Sequence, residues 1–227
     1  MINTQTNTTA VAVLLFITIF IPFSVMAAQN RAAAPIPIGE FSHNTLDGWK
    51  EKEFSAQTRY QLVKNGDKTI LQAQADASAS GLFKEVEIDL TTHPYLNWEW
   101  RADKLHPPLA EQTKAGDDYV ARIYVVVKGG LLFWRTRAIN YVWASSEKQG
   151  SVWPNAFAGK NAMLLAIRST TDKQGVWYRE KRNVYEDLKA IFGEKIKTIH
   201  AVAIMTDSDN SKGSVTASYG DITFTTD

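Results

Sequence analysis

The 227-residue chain contains no cysteine, which excludes disulfide cross-links, thiolate chemistry, cysteine metal ligands and a lipid anchor on a cysteine. It also lacks an excess of either charge: 25 Lys and Arg stand against 24 Asp and Glu. That balance gives no support for nucleic-acid binding, where clustered basic residues supply much of the affinity. The four histidines, His43, His93, His106 and His200, lie apart without H-x-x-H spacing, and no G-x-S-x-G occurs, so metalloprotease and hydrolase motifs are missing. No internal repeat or low-complexity tract is present.

The N-terminus is polar from Met1 to Thr9 and carries no Lys or Arg. An apolar run from Ala10 to Phe23 follows, then Val25, Met26 and Ala27. A short apolar segment ending in a small-residue site reads as a secretory signal peptide, although the usual basic start is absent. An uncleaved anchor is the alternative; Pro22 and an apolar run below about 18 residues argue against a stable span. The expected organisation is residues 1–27 signal peptide, 28–37 linker and 38–227 one domain. Removing 27 of 227 residues leaves 200, enough for one substantial core. An exported chain without cysteine fits a bacterial periplasm or the bacterial exterior.

Within the domain, short apolar or alternating runs are separated by turn signals about every ten residues, such as Asn65 to Asp67 and Ala77 to Gly81, which is the rhythm of an all-β sandwich. In Tyr95 to Arg101, Leu96, Trp98 and Trp100 face one way, and the pair of tryptophans reads as core. Lys104 to Gly116 reads as an exposed loop, as does Ser145 to Lys160. One helix is expected over Asn183 to Phe192, with Asn183 as N-cap, Glu186 three residues on and Gly193 as the stop. Gly129-Gly130 reads as a two-residue hairpin turn, because both positions tolerate positive φ. That turn sets Arg122 opposite Arg137 and Tyr124 opposite Arg135, on a polar, aromatic face.

Several pieces together carry a resemblance: LDGW (Leu46 to Trp49), SASGL (Ser78 to Leu82), LNWEWR (Leu96 to Arg101), GDDYVARIYVV (Gly116 to Val126), NYVW (Asn140 to Trp143), the run from Trp177 to Asp187, and TDSDNS (Thr206 to Ser211) before YGDITF. With these the chain resembles a family of exported bacterial proteins of unknown function, over essentially all of the expected domain. The resemblance implies a jelly-roll sandwich of two antiparallel sheets, similar to the galactose-binding-like domains of carbohydrate-binding modules. It implies no established activity.

Candidate ligand-binding residues are Glu99, Arg101, Asp118, Arg122, Tyr124, Arg137, Trp143, Trp177, Glu180 and Arg182. Arginine forks suit carboxylate or phosphate, and flat aromatic rings suit a sugar. The competing reading is a charge ladder in which the acids and arginines satisfy one another, since opposed like charges destabilise a sheet. Asp207, Asp209 and Asn210 offer oxygen ligands for a structural Ca²⁺, against the alternative of an Asx-rich turn. Glu40 and Asp221 form a second calcium candidate, implied only by position in the resembling fold. Glu99, Asp117, Asp118 and Glu180 include carboxylates that a glycosidase would need, but acids are common on any sandwich. Leu131 and Phe133 in the hairpin tip are a candidate contact for a partner or membrane surface. The expected function is non-catalytic binding of a saccharide or another polar or anionic small ligand; the rival is a module that docks an envelope protein.

Overall fold

The computed structural model describes residues 33–130 and 136–227, together with Met1. The chain divides after Arg31, and the fold below is that of Ala32–Asp227. The expected signal peptide and the tip Leu131 to Trp134 lie outside the described residues.

Thirteen strands and one helix make up the described fold: β1 (Ile36–Gly39), β2 (Lys50–Ser55), β3 (Arg59–Asn65), β4 (Lys68–Asp76), β5 (Ala79–Asp89), β6 (Tyr95–Lys104), β7 (Arg122–Val127), β8 (Arg137–Trp143), β9 (Val152–Asn155), β10 (Gly159–Arg168), β11 (Tyr178–Asn183), α1 (Val184–Phe192), β12 (Thr198–Asp207) and β13 (Ser214–Thr225). One sheet runs β11-β6-β13-β4-β3 with β1 also paired to β13, and the other runs β2-β5-β12-β7-β8-β10-β9. All pairings are antiparallel except β8 with β10. The sandwich expected from the turn spacing is therefore present.

Alternation explains the core. Leu96, Trp98 and Trp100 of β6 point inward against Ile139, Tyr141 and Trp143 of β8, and Trp98 stacks on Tyr141 with ring centroids 5.4 Å apart. Each aromatic of this kind hides a large apolar area, so the layer between the sheets holds the fold together. The helix caps as expected: Asn183 Oδ1 accepts from the Glu186 N–H at 3.0 Å, and Gly193 ends it with φ of 70°.

Four expectations change. Ile36 and Pro37 belong to β1 and pair with Phe224 and Thr223, so the expected linker ends inside the sheet. Two strands arise where no alternation announces them: β2 from the charged run KEKEFS, and β9 from the loop-like VWPN. Residues 104–116 form a mostly exposed loop, as expected, but not a wholly solvated one, because His106, Glu111 and Gly116 are buried. The Glu111 carboxylate is held there by the N–H groups of Ser145, Ser146 and Glu147 at 2.5, 3.1 and 2.9 Å. Finally, β7 and β8 are not joined by a two-residue turn: Val127 faces Arg137 and Arg122 faces Val142. The pairing differs from the expected one by an odd number of residues, so the facing set inverts. Tyr141 and Trp143 enter the core, and Arg137 no longer opposes Arg122.

Candidate binding cleft

The register places Arg122 beside Met205 of β12 on the outer face of the seven-stranded sheet. Asp207, two residues beyond Met205, shares that face because strand side chains repeat with period two. The Arg122 guanidinium therefore meets the Asp207 carboxylate through both its Nε, at 3.0 Å, and an Nη. It also donates to the Asp117 carbonyl at 2.9 Å and lies over the Tyr119 ring at 4.5 Å. Arg122 is only 3% exposed. Burial alone would favour its neutral form, yet the surrounding acids and tyrosines hold its pKa above the ordinary arginine range.

Around this pair opens a cleft of about 500 Å³. Its polar lining includes Asp117, Asn140, Asn155 and Asp209; Tyr124, Phe157 and Phe54 supply aromatic surface. Phe54 and Phe157 are 63% and 59% exposed, and both line this one cleft rather than being scattered singly over the surface. Asn155 fixes one side, because its Oδ1 accepts from the Phe157 and Ala158 N–H groups at 3.0 and 2.8 Å while its amide donates to Asp117 at 2.8 Å. A smaller apolar extension of about 210 Å³ continues past Phe54, Phe83 and Met205. Burial pushes the Asp117 carboxyl up, and burial together with Asp118 pushes Asp209 up.

Among the candidates from sequence, Asp118, Arg122, Tyr124, Asp207, Asp209 and Asn210 come together here. Asp118 is a support: it accepts from the Asn210 and Ser211 N–H groups at 3.2 and 2.6 Å and from the Asn210 amide at 3.0 Å. Burial raises its pKa, but these donors outweigh it and leave it below the usual carboxylate range.

Other candidates lie elsewhere. Trp143 is 1% exposed, and its indole N–H donates to the Ser169 carbonyl at 3.2 Å, so it is core and offers no platform. Arg137 pairs with Glu194 at 2.7 Å. Glu180 accepts from Trp100 at 3.0 Å and from Arg168 at 2.6 Å, and Arg182 forks onto Asp187. Glu99 meets Arg179 at 3.3 Å on the outer side of the six-stranded sheet. There Arg101 bonds Asp103 at 2.5 Å and lies 4.9 Å from the Trp177 ring. The expected ladder, in which Glu99, Arg101, Arg122 and Glu180 satisfy one another, is corrected: each of them is matched by a different partner, Arg179, Asp103, Asp207 and Arg168, and Arg122 and Arg137 do not share a face; Arg135 lies outside the described residues. A groove of about 650 Å³ runs past Glu99, Trp177 and Arg179. Arg179 is 83% exposed, so that pair is weak, and the rings that line this groove, Trp177 and Tyr178, are half-buried where Phe54 and Phe157 are exposed.

Carboxylate oxygens of Asp118, Asp207 and Asp209 lie within 4.8 Å of one another, which brings two of the three proposed calcium ligands together. Their chemistry does not suit a cation, because Asp207 is already matched by Arg122 and both Asp118 oxygens accept N–H bonds. Asp221 is likewise engaged, by the Ser42 N–H at 2.8 Å and hydroxyl at 2.5 Å, while Glu40 faces His43 at 3.4 Å.

Sequence reasoning missed Phe54, Phe157, Asn140 and Asn155 as cleft-lining groups, and named Asp117 only as a carboxylate that a glycosidase would need. One signal was legible: a lone phenylalanine, Phe54, directly after the charged run from Lys50 to Glu53.

The two-layer all-β arrangement defines a jelly-roll β-sandwich. The chain belongs to the family described as "Protein of unknown function (DUF3047)", whose match spans residues 47–223. Comparison with curated proteins gives no match. Among solved structures, it is similar to the family 30 carbohydrate-binding module of a cellulosomal cellulase of Clostridium thermocellum, at 8% identity and a TM-score of 0.50, covering 86% of this chain and 99% of that one. It also matches the family 11 module from the same organism in complex with a β-1,3-1,4-mixed-linked tetrasaccharide, at 6% identity and 0.46 over 84% and 95%. A xyloglucanase domain of NopAA from Sinorhizobium fredii, in complex with cellobiose, matches at 10% and 0.47 over 81% and 96%. At such identities the likeness concerns the fold. Among the described residues, no helix is long and apolar enough to cross a membrane.

Proposed function

We propose that the protein is an exported, non-catalytic module that binds a saccharide in the cleft of the seven-stranded sheet, with residues 1–27 acting as its signal peptide and the periplasm or bacterial exterior as its location. The observation that carries this reading is the pairing of two solvent-exposed rings, Phe54 and Phe157, with a buried polar floor built on Arg122, Asp117 and Asn140. Sugar rings present apolar C–H faces to aromatic side chains and hydroxyl edges to polar ones, so a cleft of this composition suits them. The fold shared with the family 30 module supports the same class of ligand.

A glycan array with the purified protein, followed by calorimetry on any hit, tests the proposal. Phe157→Ala and Phe54→Ala each remove an exposed ring with little structural burden and are expected to weaken binding roughly tenfold. A blank array together with a co-purifying protein would favour the docking module instead.

A further inference from the structure

The cleft does not end at Phe54. Its apolar extension of about 210 Å³ shares Phe54, Tyr124 and Met205 with it, and strand register explains why that pocket exists. On the outer face of the seven-stranded sheet, Gly81 lies between Lys52 of β2 and Met205 of β12, and Ala203 lies between Phe83 of β5 and Tyr124 of β7. Residues paired across a ladder share a face. A glycine and an alanine at those two places leave out the large side chains that would fill the middle of the face, and Phe54, Phe83, Tyr124 and Val126 wall the room they leave.

This pocket holds water poorly. A bound water needs about two to four polar partners. The Tyr124 hydroxyl already donates to Met205 Sδ at 3.4 Å, so its donor is spent on a protein acceptor. Among the described residues of the lining, Lys52 alone carries a charge, and it is exposed, with its ammonium 5.9 Å from the centre of the Phe54 ring. Displacing loosely held water by an apolar group adds affinity. Phe54, Phe83, Val126 and Met205 also stand outside the core between the sheets, so packing of the fold does not account for them.

Size and position identify the occupant. A cavity of about 150 Å³ accepts benzene, so about 210 Å³ takes a ring or a chain of about six carbons, and is too small for a helix or strand of a partner. Because the pocket meets the cleft at Phe54, Tyr124 and Met205, a group entering it is joined to whatever fills the cleft. We infer that the protein binds a saccharide carrying a short apolar substituent, an alkyl or acyl chain, with the sugar in the polar cleft and the chain in the pocket beside Ala203. The inference rests on the binding function proposed above and adds the class of guest: amphiphilic rather than wholly polar.

Calorimetry with n-alkyl β-maltosides and n-alkyl β-cellobiosides from methyl to decyl, each below its micellar concentration, tests this, with hexanol as the chain without a sugar. Within each series affinity is expected to rise about fourfold per methylene, the fold-change of burying one CH₂, up to about six carbons and then to level off. Hexanol is expected to bind at least tenfold more weakly than the hexyl glycosides. Ala203→Leu fills the pocket and is expected to flatten the rise while leaving the affinity for the methyl glycosides unchanged. Phe83→Ala removes a wall outside the core and is expected to lower the gain per methylene, which keeps the test open should the leucine variant fail to fold. No rise with chain length, a rise that never levels off, a rise unmoved by both substitutions, or hexanol binding as tightly as the hexyl glycosides would overturn the inference, while a saccharide hit on the array would leave the binding function standing. Failure of every glycoside together with a blank array would overturn both.

Discussion

Replacing Arg122 with Met removes a buried charge of similar length and leaves two acids behind it. The structure gives the magnitude. Arg122 is 3% exposed, the side chain of Asp207 is 2% exposed, and Asp117 stands 4.0 Å away at 5%. Removing one member of a buried pair costs about 3–5 kcal/mol, because the remaining charge is desolvated without compensation. Part of that loss is limited by the Tyr119 N–H, which still donates to Asp207 at 3.0 Å. Against a total stability of about 5–15 kcal/mol, the variant is expected to fold but to unfold at about 1–2 M less urea, given a slope of about 2–3 kcal/mol per M. The double variant with Asp207→Asn isolates the pair, and about 2–3 kcal/mol of coupling is expected, so the double variant is less damaged than the two singles combined. A loss below about 1 kcal/mol for Arg122→Met, or single effects that simply add, would refute the view that this pair forms the floor of the cleft.

Two further outcomes follow from the same region. His106 Nε2 faces the Asp207 carbonyl at 2.9 Å, and burial, aided by Arg122 and opposed by Asp118, lowers its pKa from 6.5 to about 4. The unfolded chain therefore takes up the proton first as pH falls: stability is complete above pH 6.5 and declines towards pH 4, by at most about 3 kcal/mol. Urea midpoints measured across that window should slope less in His106→Gln, and an unchanged slope would exclude His106 as the cause. Chelation is expected to leave the melting temperature unchanged, since Arg122 already occupies Asp207; a saturable rise with added calcium would show that a cation displaces the guanidinium.

Much of this protein was legible from residue order alone. Turn residues about every ten positions and inward alternation in Leu96, Trp98 and Trp100 point to a sandwich, and local backbone chemistry at Asn183 and Gly193 delimits the helix. Such features depend on neighbours in the chain, as does the assignment of Arg122 and Tyr124 to an outer face. What only the folded molecule decided was which strands meet and in what register. The connection between β7 and β8 is longer than its glycine pair suggests, and because strand side chains alternate, an odd offset sent Trp143 inward and parted Arg137 from Arg122. The cleft itself gathers Phe54, Arg122, Phe157 and Asp207 from β2, β7, the turn after β9 and β12. No local pattern encodes that meeting, because the free energy that drives it comes from burying both sheets against each other across the whole chain.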